Sequence, residues 1–153
     1  MYNKLLVPLD GSELGECVLG HLKIIAQGCK VPEVILLHVI EPLSAQTISA
    51  LAQAGADTIT RVEQDIKNEA EKYMRDVTNR VVSDGINAIP VLVEGNASEE
   101  ILKYATDYNI DMIIMSTHGR SGISRFFMGS VATRVLNHSR VPVLIVSPPG
   151  CRK

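Results

Sequence analysis

The residues best suited to chemistry lie between Ser116 and Ser130. The run from Ser116 to Gly122 (STHGRSG) is a glycine-bearing loop, and Gly129-Ser130 begins another helical pattern. The loop follows an apolar run, Met112 to Met115, which predicts a buried strand. In this order of strand, loop and helix, the helix N-terminus presents unpaired backbone N–H groups and a hydroxyl to a ligand beyond the end of the strand. This arrangement is typical of phosphate binding.

A second candidate is the segment Pro8-Leu9-Asp10-Gly11-Ser12, which follows the first apolar run of the chain. The Asp10 carboxylate is an acceptor suited to ribose hydroxyls. The same three residues, Asp10 to Ser12, are also typical of a turn and a helix cap. Both interpretations stay open at this point.

Other residues near these segments could contact a ligand through their backbone or their charge. Gly119 and Gly122 allow close approach of the backbone to a ligand. Arg120 or Arg125 offers positive charge. Val39, at the end of a strand, offers backbone N–H and C=O groups to a base edge. His38 is interpreted as a hydrogen-bonded core histidine rather than a metal ligand.

The elements that position these residues alternate regularly along the chain. Runs rich in Val, Ile and Leu predict five strands, and helical spacing of apolar residues predicts the helices between them. The predicted strands are Lys4 to Leu9, Val34 to Ile40, Ala88 to Glu94, Met112 to Ser116 and Val141 to Val146. Helices are predicted from Glu13 to Gly28, from Ile59 to Val81, after the cap at Asn96 and after Gly129, while Glu41 to Ala56 is interpreted as a mobile loop with a turn or two of helix.

Such alternation predicts an α/β fold with a parallel sheet, right-handed crossovers and helices on both faces. Ligands of these sheets bind beyond the carboxyl ends of the strands, where the strand order reverses. If the first and fourth strands are neighbours there, the two candidate segments line one crevice.

Bulk properties narrow the classes of function. With 153 residues, the chain is expected to form one domain, residues 1–153. A net charge of −2 and 4% aromatic residues predict neither a nucleic-acid partner nor an anionic membrane partner. Three cysteines without a C-x-x-C pair, no signal-peptide pattern and no long apolar run predict a cytoplasmic location.

Several enzyme signatures do not occur in the sequence. It has no G-x-x-x-x-G-K-[ST], no G-x-G-x-x-G after the first strand and no G-x-S-x-G. No general base stands out near the phosphate loop, and we therefore expect a binding protein more than an enzyme.

Taken together, these residues resemble the universal stress protein family. The resemblance rests on Val7 to Ser12, on Leu37-His38-Val39, on the run from Ser116 to Gly122 with Gly129-Ser130-Val131, and on Val141 to Val146. It implies a Rossmann-like open sheet of five parallel strands in the order 3-2-1-4-5, in three α/β/α layers. It also implies a homodimer formed by pairing strand five, Val143 to Val146, with its two-fold mate.

The ATP-binding branch of that family carries the motif G-x2-G-x9-G-[ST]. Gly119, nine intervening residues, Gly129 and Ser130 match its later part, while Ser116 stands at its first glycine. The resemblance implies a site for ATP, ADP or AMP, with Mg²⁺ carried by the phosphates. Its binding positions are Pro8, Leu9, Asp10, Val39, Met115, Ser116, His118, Gly119, Arg120, Gly122, Gly129, Ser130 and Val131.

The expected function is a cytoplasmic, nucleotide-dependent stress-response switch with at most slow hydrolysis. Ser116 favours an alternative, a dimeric interaction scaffold of the same family that binds no nucleotide. A third interpretation is an enzyme of the wider adenine-nucleotide hydrolase-like group.

Overall fold

The computed structural model describes residues 1–117 and 128–147, in which strands and helices alternate. The strands are β1 (Lys4–Pro8), β2 (Glu33–Ile40), β3 (Ala88–Glu94), β4 (Met112–Ser116) and β5 (Val143–Val146). The helices are α1 (Val18–Gly28), which follows a 3₁₀ helix at Gly15–Cys17, then α2 (Ala45–Ala52), α3 (Ala56–Ser83), α4 (Ala97–Asp107) and α5 (Ser130–His138).

The five strands form one parallel sheet in the order β3-β2-β1-β4-β5, as predicted. β1 lies at its centre, and Leu5 is in register with Val34 of β2 and with Met112 of β4. The chain order reverses between β1 and β4, which opens a crevice beyond their carboxyl ends.

Alternating side chains of the strands build a separate core on each face of the sheet. Leu5, Val7 and Leu36 pack with α1 and α3 on one face. Leu6 and Leu37 pack with α4 and α5 on the other face. Helices therefore cover both faces, which is why the central strands β1, β2 and β4 are mostly apolar.

Several predicted boundaries shift by a few residues. β1 ends at Pro8 rather than Leu9, although the Leu9 N–H still donates to the Leu37 carbonyl at 2.8 Å. The helix expected from Glu13 opens with the 3₁₀ helix instead, because Asp10 and Ser12 hold the residues before it in a turn. β5 begins at Val143 rather than Val141, since Pro142 contributes only its carbonyl, which accepts from Ile113 N at 3.0 Å.

The segment from Glu41 to Ala56 contains the two-turn helix α2, and Ser44 caps its start through a bond from Thr47 N. None of the side chains of α2 is buried. Within residues 1–117 and 128–147, the helices lack the combination of length and hydropathy that crossing a membrane requires.

Candidate functional site

A cavity of about 580 Å³ opens at the carboxyl ends of β1, β2 and β4. It extends over both faces of the sheet, with α3 on one side and the starts of α4 and α5 on the other. Its lining comprises Pro8, Leu9, Asp10, Gly11, Gly15, Leu37, His38, Val39, Ile40, Glu41, Ile66, Glu69, Ala70, Tyr73, Ala97, Ile101, Met115, Ser116, Thr117, Gly129, Ser130, Val131 and Ala132.

The turn after β1 holds the Asp10 carboxylate at the cavity wall. Its Oδ1 accepts from Ser12 N at 3.0 Å and from Ser12 Oγ at 2.7 Å. Ser12 Oγ in turn accepts from Gly15 N at 3.0 Å, and Gly11 has φ of +82°. The turn interpretation of these residues is therefore confirmed, and this turn places a carboxylate beside the cavity. The residues that precede the 3₁₀ helix and α1, Leu14 and Cys17, make no side-chain cap bond.

Gly15 makes room for that carboxylate. A Cβ atom at this position would stand 2.4 Å from Asp10 Oδ1, which is far inside van der Waals contact. The sequence analysis missed Gly15 because nothing in its immediate neighbours marks it. Its role comes from a residue five positions earlier that folds back over it.

At the end of β4, Ser116 fits without backbone strain. It lies in the extended strand and is not among the residues of positive φ. Its hydroxyl donates to the Leu14 carbonyl at 3.3 Å and accepts from Cys17 Sγ at 3.6 Å. A serine in place of the motif glycine therefore anchors β4 to the segment that precedes α1.

The start of α5 packs directly against the end of β4. Gly129 N donates to the Thr117 carbonyl at 2.7 Å, and a Cβ atom on Gly129 would stand 2.9 Å from that oxygen. Its φ of −57° is ordinary, so close approach rather than conformation requires glycine here. Ser130 and Val131 follow in the first turn of α5 and line the cavity.

Val39 directs its backbone toward the cavity. The Leu37 carbonyl accepts from Leu9 N on the β1 side, and the Ile40 carbonyl accepts from Gly95 N on the β3 side. Backbone groups of successive residues alternate between the two sides of a strand. The N–H and C=O of Val39 therefore point to the β1 side, beyond the point where β1 ends.

His38, the next residue back, is buried, and its Nδ1 donates to the Leu9 carbonyl at 2.7 Å. The prediction of a hydrogen-bonded core histidine is confirmed. His38 also lines the cavity, which its strand position alone did not indicate.

Helix α3 forms a wall of the cavity that the sequence analysis did not foresee. Ile66, Glu69, Ala70 and Tyr73 lie on one face of α3 at helical spacing and line the cavity. This spacing is the same as that of a core stripe, so the sequence offers no signal to separate the two roles. Burial, and then the negative charges of Glu16 and Asp10, raise the pKa of Tyr73 far above its usual range.

The start of α4 closes the cavity on the other face. Asn96 Oδ1 accepts from Glu99 N at 3.3 Å, which confirms the predicted cap. Glu41 Oε1 accepts from Ala97 N at 3.3 Å, so a carboxylate joins the Asn96 amide at this helix N-terminus. Ala97 and Glu41 are further cavity residues that the sequence analysis missed, because they meet only in the folded chain.

Nine of the thirteen residues proposed from the sequence line this one cavity: Pro8, Leu9, Asp10, Val39, Met115, Ser116, Gly129, Ser130 and Val131. The other four, His118, Gly119, Arg120 and Gly122, lie outside the described residues. In residues 1–117 and 128–147, no cluster of three His, Cys, Asp or Glu side chains is arranged to hold a metal ion.

Known proteins match this chain in sequence and in fold. The pattern of the universal stress protein family matches residues 1–147. Universal stress protein MJ0577 of Methanocaldococcus jannaschii is 36% identical over 155 residues, covering 95% of each chain. The solved structure of MJ0577 superimposes with a TM-score of 0.83 at 32% identity, covering 98% of this chain and 99% of that one.

Two more distant structures share the fold and hold ligands. A universal stress protein in complex with cAMP has a TM-score of 0.69 at 19% identity, covering 96% of this chain and 98% of that one. A family member from Arabidopsis thaliana with AMP bound has a TM-score of 0.68 at 15% identity, covering 97% and 93%. With a family match over nearly the whole chain and a relative of 36% identity, this chain belongs to the universal stress protein family.

Proposed function

We propose that the cavity binds an adenine nucleotide, with ATP as the leading candidate and ADP or AMP as alternatives. One observation carries the proposal: the outward backbone of Val39, the Asp10 carboxylate and the start of α5 converge on a single cavity of about 580 Å³. These three groups match the three parts of a nucleotide in chemistry and in order.

Each group has a defined task in this arrangement. The N–H and C=O of Val39 offer a donor and an acceptor to the adenine edge. The Asp10 carboxylate, held by Ser12 and cleared by Gly15, accepts from ribose hydroxyls. The N–H groups in the first turn of α5, together with the Ser130 hydroxyl, donate hydrogen bonds to the phosphate oxygens.

The distant structures with cAMP and AMP support this class of ligand, because they show that the fold has room for adenine nucleotides. Mg²⁺ would arrive on the phosphates of ATP and screen their charge. Gly119 belongs to the phosphate end of the proposed site by its match to the family motif. His118, Arg120 and Gly122 are assigned there because they belong to the same run, Ser116 to Gly122.

We propose a nucleotide-dependent switch in the stress response, with at most slow hydrolysis. The basis is the sequence, which carries no P-loop, nucleophile elbow or evident general base. The proposal includes a single cytoplasmic domain and a homodimer paired through β5, without a nucleic-acid or membrane partner. β5 is an edge strand of the sheet, which favours such pairing.

The test begins with the purified protein. Denaturation followed by chromatography identifies any nucleotide carried through purification, and calorimetric titration of the stripped protein measures the affinity for ATP with Mg²⁺. Asp10→Ala is expected to lower this affinity by about tenfold or more, the cost of a hydrogen bond to a charged acceptor. Asp76→Ala, which removes the same charge from the exposed side of α3, is the matched control.

Absence of both released nucleotide and saturable binding would leave the alternative, a dimeric interaction scaffold that binds no nucleotide. Equal affinity of folded Asp10→Ala and wild-type protein would contradict the ribose assignment alone. Turnover faster than about one per minute would favour the hydrolase-like enzyme instead.

A further inference from the structure

His38 is buried near the carboxyl end of β2, with 6% of its surface exposed, and is one of the residues that line the cavity. Its Nδ1 lies 2.7 Å from the Leu9 carbonyl oxygen. A carbonyl oxygen only accepts hydrogen bonds, so Nδ1 must carry the hydrogen. This bond therefore fixes both the orientation of the imidazole ring and the position of its proton.

The bond holds one particular peptide of the main chain. Register pairing between β1 and β2 ends at Pro8 and Leu37. The next residue, Leu9, donates its N–H to the Leu37 carbonyl at 2.8 Å, and its own carbonyl accepts from His38. The chain leaves the sheet at the Leu9–Asp10 peptide, and the carbonyl of this peptide is bonded to the His38 side chain. The next side chain is the Asp10 carboxylate, which belongs to the proposed site.

Tyr73 of α3 supports the imidazole ring from the side. The two ring centroids are 5.9 Å apart with a tilt of 56°. The Tyr73 hydroxyl is itself buried, and the nearby Glu16 carboxylate is paired with Arg80 at 2.7 Å. His38 is therefore held in place by packing as well as by its own bond.

We infer that His38 is a positioning residue of the cavity: through the Leu9 carbonyl it sets the direction in which the Asp10 carboxylate meets a ribose. This inference rests on the proposed function for the identity of the ligand. The contact between His38 and the main chain, however, does not depend on any ligand. Its physical basis is that one hydrogen bond replaces the strand pairing that ends at Pro8.

Two variants separate positioning from simple packing. His38→Asn retains an N–H donor close to the Nδ1 position, whereas His38→Leu retains bulk and removes the donor. Leu36→Val, a buried change two residues earlier on the same face of β2, is the control for lost packing. Thermal unfolding of all three variants establishes that they are folded.

The first readout needs no nucleotide. The amide resonances of Asp10 and Gly11 are expected to shift in His38→Leu and to stay near their wild-type positions in His38→Asn and Leu36→Val. Equal shifts in the two His38 variants, or none in His38→Leu, would overturn the inference. This result stands even if the wild-type protein binds no nucleotide, in which case the proposed function fails separately.

The second readout compares affinity for ATP with affinity for 2′,3′-dideoxy-ATP. Wild-type protein is expected to prefer ATP by about tenfold, because only ATP can donate from its ribose to Asp10. In His38→Leu the ratio of the two affinities should fall toward one, and in His38→Asn it should return to the wild-type value. A preference retained in full by His38→Leu would contradict the positioning role, whatever its effect on stability.

Discussion

At the scale of single residues, Gly15 decides whether Asp10 can occupy its place at the cavity wall. In Gly15→Ala the new Cβ would meet Asp10 Oδ1 at 2.4 Å, and a side-chain end yields more easily than backbone. We expect the fold to survive and the affinity for ATP to fall by about tenfold or more. The measurement is calorimetric titration of the folded variant.

Gly20→Ala is the matched control for that substitution. Gly20 lies within α1, and a Cβ there meets nothing within 4 Å. This variant should bind ATP like the wild type and gain about 0.5–1 kcal/mol in free energy of unfolding. Unchanged affinity in Gly15→Ala as well would mean that Asp10 does not take part in binding.

Ser116 is the residue on which the two interpretations of this chain differ most. Its extended backbone and its bond to the Leu14 carbonyl indicate that the serine does not obstruct the site. Ser116→Gly should therefore change the affinity for ATP by less than about threefold. It should lower the free energy of unfolding by about 0.5–1 kcal/mol, since glycine weakens a strand. Affinity that appears only in the glycine variant would favour the scaffold.

At the scale of elements, Asp111 joins the starts of β1 and β4. Its Oδ2 accepts from Lys4 N at 2.9 Å and also from Asn3 N. These backbone bonds, that from Lys4 first, lower the pKa of the Asp111 carboxyl from its usual 3.8. A carboxyl whose pKa is lower in the folded state stabilises the fold above its unfolded pKa.

The contribution of Asp111 is lost as the pH falls through its folded pKa. Between about pH 4 and pH 2, the wild type should lose more thermal stability than Asp111→Asn, whose amide does not titrate. The check is the melting temperature of both proteins across this range. Parallel melting curves for the two proteins would show that the ionised Asp111 carboxylate does not contribute to stability.

At the scale of the whole molecule, the free edge of β5 governs the proposed dimer. The Pro142 and Val146 carbonyls accept from Ile113 N and Thr117 N of the β4 side. Because backbone groups alternate along a strand, the N–H of Ile145 points away from β4, toward the free edge. Proline is tolerated in a strand only where its missing N–H faces outward.

Ile145→Pro should therefore remove a bond between protomers while leaving the pairing of β4 and β5 in place. Analytical ultracentrifugation is expected to show a dimer for the wild type and a monomer for this variant. Circular dichroism should stay close to that of the wild type. A variant that remains dimeric would exclude β5 pairing as the basis of assembly.

The sequence alone determined the fold class, the strand order through its family resemblance, and nine of the residues that line the cavity. Apolar runs and helical spacing are local signals. Val39 and Asp10 stand at recognisable strand ends, and Gly129 begins a recognisable helical pattern. The cap at Asn96 and the bonded state of His38 were predictable for the same reason.

Only the tertiary structure revealed the roles of Gly15, Glu41 and Tyr73. Gly15 matters because the Asp10 carboxylate folds back over it. Glu41 matters because α4 begins beside it, at Ala97, 56 positions later in the chain. Tyr73 has the helical spacing of a core residue, yet it lies where α3 passes the end of the sheet. These roles arise from contacts between distant segments, which periodicity and local motifs do not encode.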